Sequence, residues 1–283
     1  MPAPLANLNG IIQPLATAMV PALDRGFLFG DAVYEGIYAC DGKPRFLDLH
    51  LKRLERSLRE LRIGPIQLER LQQRLLETLA AGPFDEAFIY IQISRGAGAS
   101  RTHHFPPPGT PPTEFFFIEE FTDPYGELRH TGVSAITQPD IRWHRCDVKS
   151  VNLLGNVLAF QAAKEQNARE AILVRPDGTI TEGTRTSLFG VVDGTLRTGP
   201  LSAEILPGVT RSVVISLIHQ LQLPLLEEHL HVDELPQVQE LFLTGTTSEV
   251  LPVTILDGKP VADGQPGPIT RKLQRAFAEL VRK

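Results

Sequence analysis

The chain has 283 residues and a formal net charge of -5, from 28 lysines and arginines against 33 aspartates and glutamates. Domains contain roughly 100–200 residues, so this length predicts one large domain or two ordinary ones. Hydrophobic residues make up 42% of the sequence and charged residues 22%, a balance that excludes disorder and allows a sizeable core. The mild acidity argues against a nucleic-acid partner and against an anionic membrane surface, because binders of both usually carry a basic surplus.

Two cysteines, Cys40 and Cys146, are too few for a disulfide framework or a four-thiolate zinc site. We therefore expect reduced thiols in a cytoplasmic protein. No run of residues approaches the roughly 18 apolar positions that span a bilayer, so we expect no membrane partner.

Helical and strand patterns are mixed in the first half of the chain. Leucines spaced three and four apart predict helices over 46–62 and 68–81. Alternating or continuous apolar residues predict strands over 84–94 and 113–119. Asn9-Gly10 predicts a hairpin turn.

A long loop and a short linker divide the chain. The loop over 95–112 is dense in glycine and proline, and loops of that length are usually functional or disordered. Turn residues over 121–126 predict a linker. We therefore expect a smaller N-terminal α/β domain over 1–120 and a larger C-terminal α/β domain over 127–283.

Strand and helix alternate more regularly in the second half. The predicted helices cover 156–167, 210–221 and 269–283, and the predicted strands 170–174 and 240–244. Asp-Gly pairs at 177–178, 193–194 and 257–258 predict hairpins. Because hairpins join antiparallel strands, we expect a mixed α/β fold, of the α+β kind, and not a purely parallel sheet.

Lys149 differs from the other lysines in its surroundings. Only seven of the 28 basic residues are lysines, and most of them stand in polar stretches. Lys149 stands among apolar residues in 141–155 (IRWHRCDVKSVNLLG). A lysine removed from water loses its proton more readily and becomes a nucleophilic amine, which a Schiff-base lysine requires. The alternative is a lysine that is paired with Asp147 or a neighbouring carboxylate.

Three further stretches contain groups that could bind a ligand. Glu182 precedes several small hydroxyl residues in 179–190, where a plain turn is the alternative. The run 206–211 (LPGVTR) opens a predicted helix, whose free amides favour a phosphate, although a plain N-cap would look the same. The run 244–249 (TGTTSE) follows a predicted strand and adds hydroxyls.

Common catalytic motifs are missing from the sequence. Arg101 stands where a dinucleotide fingerprint needs its third glycine, and there is no P-loop, no G-x-S-x-G and no HExxH. His229 and His231 could bind a metal, but no third ligand is near in sequence. We interpret them as a solvated strand face and expect no metal site.

Taken together, six motifs resemble one family. They stand in the order 24–35 (DRGFLFGDAVYE), 50–54 (HLKRL), 149–152 (KSVN), 181–183 (TEG), 208–211 (GVTR) and 246–249 (TTSE). This order resembles the pyridoxal-phosphate aminotransferases of fold type IV, over essentially the whole chain. The resemblance implies a two-domain fold with the active site at the domain interface, and a homodimer.

The resemblance also implies a role for each cofactor residue. Lys149 would hold pyridoxal 5′-phosphate through a Schiff base and later move a proton, and Glu182 would keep the pyridine nitrogen protonated. The phosphate would be bound by Arg53, Val209, Thr210 and Thr246.

Within the family, the long loop is most similar to that of the D-amino acid aminotransferases. Arg101 and His103 match their R-x-H pattern, on a loop that reaches into the neighbouring subunit's site. With Tyr34 they would bind the substrate α-carboxylate, since a guanidinium grips a carboxylate through two hydrogen bonds. Arg185 departs from the family pattern, and it and Thr247 are further candidate substrate contacts.

The resemblance predicts ping-pong transamination between D-amino acids of the D-alanine type and 2-oxo acids such as 2-oxoglutarate and pyruvate. The alternatives are an (R)-amine or branched-chain L-amino acid aminotransferase and an aminodeoxychorismate lyase on the same fold. A protein that kept the fold for interaction without the cofactor is the non-enzymatic alternative.

Overall fold

The computed structural model describes residues 2–282, which divide into two compact units. The first unit contains the described residues up to Thr122 together with Val148–Asn152. The second contains Asp123–Asp147 and the described residues from Leu153 onward. No pattern in the sequence indicated that Val148–Asn152 belongs to the first unit, and the predicted domain bounds stay a prediction.

The first unit is built on a six-stranded antiparallel sheet in the order β2-β1-β6-β5-β3-β4. Its elements are β1 (Leu5–Leu8), β2 (Ile11–Pro14), α1 (Arg25–Phe29), β3 (Ala32–Cys40), β4 (Lys43–Pro44), α2 (Leu47–Leu61), α3 (Leu68–Ala80), β5 (Glu86–Ser94) and β6 (Thr113–Glu120). The predicted helices and strands of this half are confirmed to within two residues at each end.

The core of the first unit follows from the leucine spacing of its two long helices. Leu54 of α2 and Leu75 of α3 are fully buried in one cluster with Ile89 and Ile91 of β5. Because residues three and four apart share a helix face, each helix presents an apolar stripe to the sheet. β3, which the sequence did not predict, is the strand that pairs with β5 over its whole length.

The second unit is built on a nine-stranded mixed sheet in the order β12-β11-β10-β13-β14-β7-β8-β9, with β15 paired to β14. Its elements are α4 (Leu128–Thr131), β7 (Val133–Pro139), α5 (Leu154–Glu165), β8 (Glu170–Val174), β9 (Ile180–Gly183), β10 (Ser187–Val192), β11 (Thr195–Arg197), α6 (Val209–Gln220), β12 (Leu225–Leu226), β13 (Glu240–Gly245), β14 (Glu249–Leu256), β15 (Lys259–Pro260) and α7 (Pro268–Val281). Parallel pairs join β7 to β8 and to β14, and β11 to β12, so the expected mixed fold is confirmed.

The predicted turns connect antiparallel strands. Asn9-Gly10 lies between β1 and β2, Asp193-Gly194 between β10 and β11, and Asp257-Gly258 between β14 and β15. Both residues of each pair have positive φ, from 48° to 95°, as a type I′ hairpin turn requires. Within residues 2–282, no helix has the length and apolar character needed to cross a membrane.

Truncation of a core leucine on α3 should destabilise the first unit strongly. Leu75 is 0% exposed, whereas its neighbour Leu76 is 39% exposed. We expect Leu75→Ala to lower the free energy of unfolding by about 2–5 kcal/mol, because it leaves a cavity. Leu76→Ala should cost less than half as much, as urea unfolding would show. Equal losses would contradict the packing described for α3.

Candidate active site

Backbone pairing with β3 fixes the position of Lys149. The Lys149 carbonyl accepts a hydrogen bond from the Tyr34 amide at 2.9 Å, and the Val151 amide donates to the Ala32 carbonyl at 3.2 Å. The Lys149 amide donates to the buried Ser57 hydroxyl at 3.2 Å. The lysine backbone is therefore held on both sides, by a strand and by α2.

The Lys149 side chain is half-buried and lies over an aromatic ring. Its Nζ is 4.2 Å from the centre of the Tyr34 ring, which in turn stacks on Tyr90 at 5.7 Å. The carboxylate of Asp147, the alternative partner, instead accepts a hydrogen bond from Arg145 at 2.9 Å. The structure thus brings Lys149 and Tyr34 together, and their shared role in one site stays a prediction.

Arg53, the predicted phosphate ligand, is held by a carboxylate that the sequence did not assign. Arg53 Nε and Nη2 donate to the two Glu35 oxygens at 2.8 and 2.7 Å. His50 Nδ1 lies 2.7 Å from Glu35 Oε2. All three side chains are buried, and Glu35 is fully so. Glu35 and His50 stand within two of the six motifs. A single charged residue on an otherwise apolar strand was the pattern from which a buried, paired Glu35 could have been predicted.

Burial and neighbouring charges shift the pKa values of Glu35 and His50. Burial alone would raise the pKa of Glu35, but the Arg53 guanidinium and the His50 hydrogen bond lower it to about 2. Burial lowers the pKa of His50, and the Arg53 and Lys149 charges add to that effect against the opposing Glu35. Near neutral pH, Glu35 is therefore an anion and His50 a neutral imidazole that donates from Nδ1.

Glu182, on β9, is a buried carboxylate in the second unit with donors already aimed at it. Arg142 Nη1 donates to Glu182 Oε1 at 2.5 Å, and the Leu206 amide lies 3.1 and 3.2 Å from the two oxygens. Arg142 is itself gripped by Asp140, through bonds of 2.9 and 2.8 Å. The sequence analysis did not identify Asp140 or Arg142. Their opposite charges, two residues apart, were the pattern from which an ion pair could have been predicted.

The charges around Glu182 hold one another in the ionised state. Burial acts to raise the pKa of Asp140, but the Arg142 hydrogen bonds and charge lower it overall. Burial would lower the pKa of Arg142, and Asp140 and Glu182 raise it instead. A permanently charged Arg142 favours an anionic Glu182, which can pair with a cationic ring N–H.

The start of α6 forms a cradle with small residues of the strands. Gly208 precedes the helix, and among the described residues no side chain caps it. A Cβ on Gly208 would stand 2.6 Å from the Ser187 hydroxyl, and one on Gly245 would stand 2.7 Å from the Ser248 hydroxyl. Only glycine leaves this space open, so a helix start with its amides and hydroxyls is available to an anion.

Buried hydroxyls without partners lie in the same cradle. Within residues 2–282, Thr244 Oγ1 and Ser248 Oγ are buried and have no hydrogen-bond partner. Val209 and Thr210 are the first two residues of α6, and Thr246 lies in the turn that follows β13. Unpaired buried hydroxyls are costly, so an acceptor such as a phosphate oxygen fits here.

Arg101 and His103 lie in the first unit on the long loop, where both are exposed and contact Phe29. The Arg101 guanidinium is 4.9 Å from the centre of the Phe29 ring, and the His103 ring is 5.4 Å from it. No hydrogen bond in the described part of the chain joins either residue to Tyr34. The structure therefore places these two together, and their joint contact with Tyr34 stays a prediction.

The two candidate substrate contacts of the second unit are placed differently. Arg185 is exposed and lies over the Phe160 ring at 4.3 Å. Thr247 is half-buried, and its carbonyl accepts from Arg129 Nη2 at 2.7 Å, which holds the turn that contains Thr246. The side chain of Thr186, by contrast, donates to buried Glu170 at 2.9 Å and is structural.

The predicted solvated strand face at His229 and His231 is wrong. Both residues are half-buried and lie outside the strands. His229 Nδ1 is 2.9 Å from the Ile180 carbonyl, and His231 Nε2 is 2.7 Å from the Asp177 carbonyl. Backbone carbonyls from the neighbouring hairpin therefore satisfy the two rings. Among residues 2–282, no group of three or more histidine, cysteine or acidic side chains is arranged to hold a metal.

Glu35 should make stability fall more steeply in acid. Its pKa of about 2 lies below the unfolded value, so its contribution is complete above about pH 4.5 and is lost as pH falls towards 2. Between pH 6 and 3.5 the wild type should lose about 1 kcal/mol more than Glu35→Gln in urea unfolding. The exposed Glu55→Gln on α2 is the control, and a Glu35→Gln curve parallel to the wild type would contradict the assignment.

The comparisons with known proteins agree in family and fold. The family model described as amino-transferase class IV matches residues 32–256. A D-alanine aminotransferase of Staphylococcus epidermidis (strain ATCC 35984) is 41% identical over 275 residues, covering 97% of this chain and 96% of the relative. One of Bacillus licheniformis is 39% identical over 274 residues, covering 96% and 95%.

Solved structures share the whole fold. The branched-chain amino acid aminotransferase of Escherichia coli has a TM-score of 0.89 at 26% identity, covering 98% of this chain and 94% of that one. The T.th. branched-chain amino acid aminotransferase with pyridoxamine 5′-phosphate has a TM-score of 0.87 at 28% identity, covering 98% and 93%. The resemblance seen in the six motifs is confirmed: this chain belongs to the amino-transferase class IV family.

Proposed function

We propose that this chain uses pyridoxal 5′-phosphate to transfer the amino group of a D-amino acid such as D-alanine to a 2-oxo acid such as 2-oxoglutarate. The observation that carries the proposal is the placing of Lys149, whose backbone is anchored to β3 and whose amine lies on the Tyr34 ring. The D-alanine aminotransferases at 41% and 39% identity support the substrate class.

The residues that the resemblance assigns to this cofactor fit it chemically. Lys149 supplies the amine, and Glu182, kept anionic by Arg142, supplies the partner of a protonated pyridine nitrogen. The open cradle at Gly208, with its unpartnered Thr244 and Ser248 hydroxyls, suits a phosphate. The T.th. enzyme, which shares the fold, was solved with pyridoxamine 5′-phosphate.

The proposed mechanism assigns one task to each side chain. Pyridoxal phosphate, when bound, withdraws electrons from the substrate Cα and so makes its C–H acidic. Lys149 Nζ would accept the Cα proton of the substrate and later give it back, as a general base and then a general acid. Glu182, which accepts a hydrogen bond from Arg142, would supply the negative charge that favours a protonated pyridine nitrogen.

Arg53 is proposed as the charged ligand of the phosphate. Glu35 grips its Nε and Nη2, so the guanidinium is fixed in direction before any ligand arrives. A pre-oriented guanidinium loses little freedom on binding, which favours affinity. Val209, Thr210 and Thr246 would complete the phosphate site with amides and hydroxyls.

Arg101, His103 and Tyr34 are proposed to bind the substrate α-carboxylate. The loop of a second copy of the chain would supply Arg101 and His103, so the proposed active species is a homodimer. D-selectivity would follow if this contact turns the Cα–H of a D-amino acid toward Lys149. The cytoplasmic location stays a prediction.

A branched-chain L-amino acid aminotransferase is the second candidate. Its support is the close likeness in fold to two solved enzymes of that name, with TM-scores of 0.89 and 0.87. Identity to those enzymes is 26% and 28%, below the values for the D-alanine aminotransferases, which is why the D-amino acid is preferred.

An amino-donor screen should distinguish these functions. We expect turnover of D-alanine with 2-oxoglutarate to exceed that of L-leucine and of (R)-1-phenylethylamine. Preference for L-leucine would favour the second candidate, and pyruvate release from aminodeoxychorismate without an acceptor would indicate a lyase.

Lys149→Ala should lower D-alanine turnover by about 10⁴-fold or more, because the proton carrier is lost. The exposed Lys52→Ala is the control.

Arg101 should matter for the substrate and not for the cofactor. We expect Arg101→Ala to lower kcat/KM for D-alanine roughly 10- to 100-fold, the size of a lost charge-assisted hydrogen bond. The affinity for pyridoxal phosphate, followed by its visible absorbance, should not change. Arg70→Ala, an exposed arginine of α3, is the matched control. Wild-type turnover in Arg101→Ala would contradict the carboxylate assignment.

A further inference from the structure

A buried arginine forms hydrogen bonds with the backbone of the loop that carries Arg101 and His103. Arg25, 6% exposed at the start of α1, donates to three successive backbone carbonyls of the loop. Its Nη1 is 2.7 Å from the Thr102 carbonyl and 3.2 Å from that of His104, and its Nη2 is 3.3 Å from that of His103. One side chain thus fixes the backbone on which both proposed carboxylate ligands stand.

The same arginine shares an aromatic ring with those ligands. The Arg25 guanidinium is 4.8 Å from the centre of the Phe29 ring. Arg101 lies 4.9 Å from that centre and the His103 ring 5.4 Å from it. Phe29 therefore contacts Arg25 and also both side chains, Arg101 and His103, whose backbone Arg25 holds.

Asp31, together with Arg95, connects Arg25 to α2. Asp31 Oδ2 accepts from Arg25 Nε at 2.8 Å and from Arg95 Nε at 2.8 Å. Arg95 also donates to the Leu61 and Arg62 carbonyls at the end of α2, both at 2.7 Å. Asp31 and Arg95 therefore connect Arg25 to the C-terminal end of α2 by hydrogen bonds.

Phe105 closes the loop at its other side. Its ring lies 3.7 Å from the Arg95 guanidinium and 4.8 Å from that of Arg62. The segment 101–105 is therefore held at three points, namely its carbonyls, the Phe29 ring and the Phe105 ring. Such fixing lowers the entropy lost when a flexible loop orders around a ligand.

We propose that Arg25 is a positioning residue that sets the preference for substrates bearing an α-carboxylate, by holding the 101–104 backbone so that Arg101 and His103 are pre-oriented. This inference rests on the proposed function, because it assumes that those two side chains bind the carboxylate. Arg25 positions them through its hydrogen bonds to the Thr102, His103 and His104 carbonyls.

The geometry requires a guanidinium in particular. Its planar fork reaches three carbonyls and the Asp31 carboxylate at once, whereas a lysine ammonium is a compact point charge at the end of a flexible stem. Arg25→Lys keeps the charge beside Asp31 and loses the fork. It therefore separates positioning from the simple need for a cation at this place.

Steady-state kinetics of the pyridoxal-phosphate-loaded enzyme test the inference. We expect Arg25→Lys to raise KM for D-alanine about tenfold while kcat changes less than threefold, with cofactor absorbance unchanged. D-alanine amide, which lacks the carboxylate charge, should show no such rise. Hydrogen exchange of the amides of 101–105 should become faster. The exposed Arg70→Lys is the matched control.

A double-mutant cycle with Arg101→Ala gives the sharpest test. If Arg25 acts through Arg101 and His103, Arg25→Lys should raise KM less in the Arg101→Ala background than in the wild type, because the two changes share one of these interactions. Multiplied effects, or an unchanged KM in Arg25→Lys beside a raised KM in Arg101→Ala, would overturn the inference. No effect of Arg101→Ala would instead refute the carboxylate site of the proposed function, and this inference with it.

A second variant covers the case in which Arg25→Lys does not fold. Arg25→Gln keeps a side-chain amide that can donate to a loop carbonyl, but it loses the fork that reaches three of them. It should raise KM for D-alanine and leave kcat and cofactor absorbance near the wild type. An unchanged KM in a folded Arg25→Gln enzyme would overturn the inference on its own.

Discussion

The antiparallel pairing of Val148–Asn152 with the start of β3 is the constraint on which the rest of the site depends. It fixes the Lys149 backbone through the Tyr34 amide and the Ser57 hydroxyl, and it sets the amine on the Tyr34 ring. The register matters because a shift of one residue along the strand would turn the side chain to the other face. A reactive amine needs such a fixed position, since small displacements of a proton carrier cost large factors in rate.

Each unit contains a buried carboxylate that an arginine keeps ionised. In the first, Glu35 lies between Arg53 and His50, and in the second, Arg142 pins Glu182 while Asp140 holds Arg142. A buried charge is costly unless it is paired and hydrogen-bonded, so these networks need every member. The arginine that would meet a phosphate and the carboxylate that would meet a ring nitrogen are therefore oriented in advance. The loop clamp at Arg25 follows the same rule, with backbone carbonyls as the acceptors.

The sequence predicted most of the regular structure and named the candidate reactive residues, but it did not predict which residues hold those candidates in place. The helices over 47–61 and 68–80 followed from leucine spacing, and the Asn9-Gly10 and Asp193-Gly194 turns from the need for positive φ. Lys149 and Glu182 followed from motifs. Glu35, Arg142 and Arg25 were missed, since apart from Asp140, two positions before Arg142, their partners lie between 6 and 79 positions away and depend on tertiary packing. The histidines at 229 and 231 were misjudged for the same reason, because the carbonyls they bind lie in another hairpin.

Borohydride reduction of the purified protein loaded with pyridoxal phosphate, followed by peptide mapping in a mass spectrometer, tests most directly whether Lys149 is the reactive amine. Reduction converts a labile bond between an amine and the cofactor aldehyde into a permanent one, so the modified residue can be located. We predict one reduced phosphopyridoxyl adduct per chain, on the peptide that contains Lys149. An adduct on another lysine such as Lys52, or no adduct at all, would contradict the proposed chemistry.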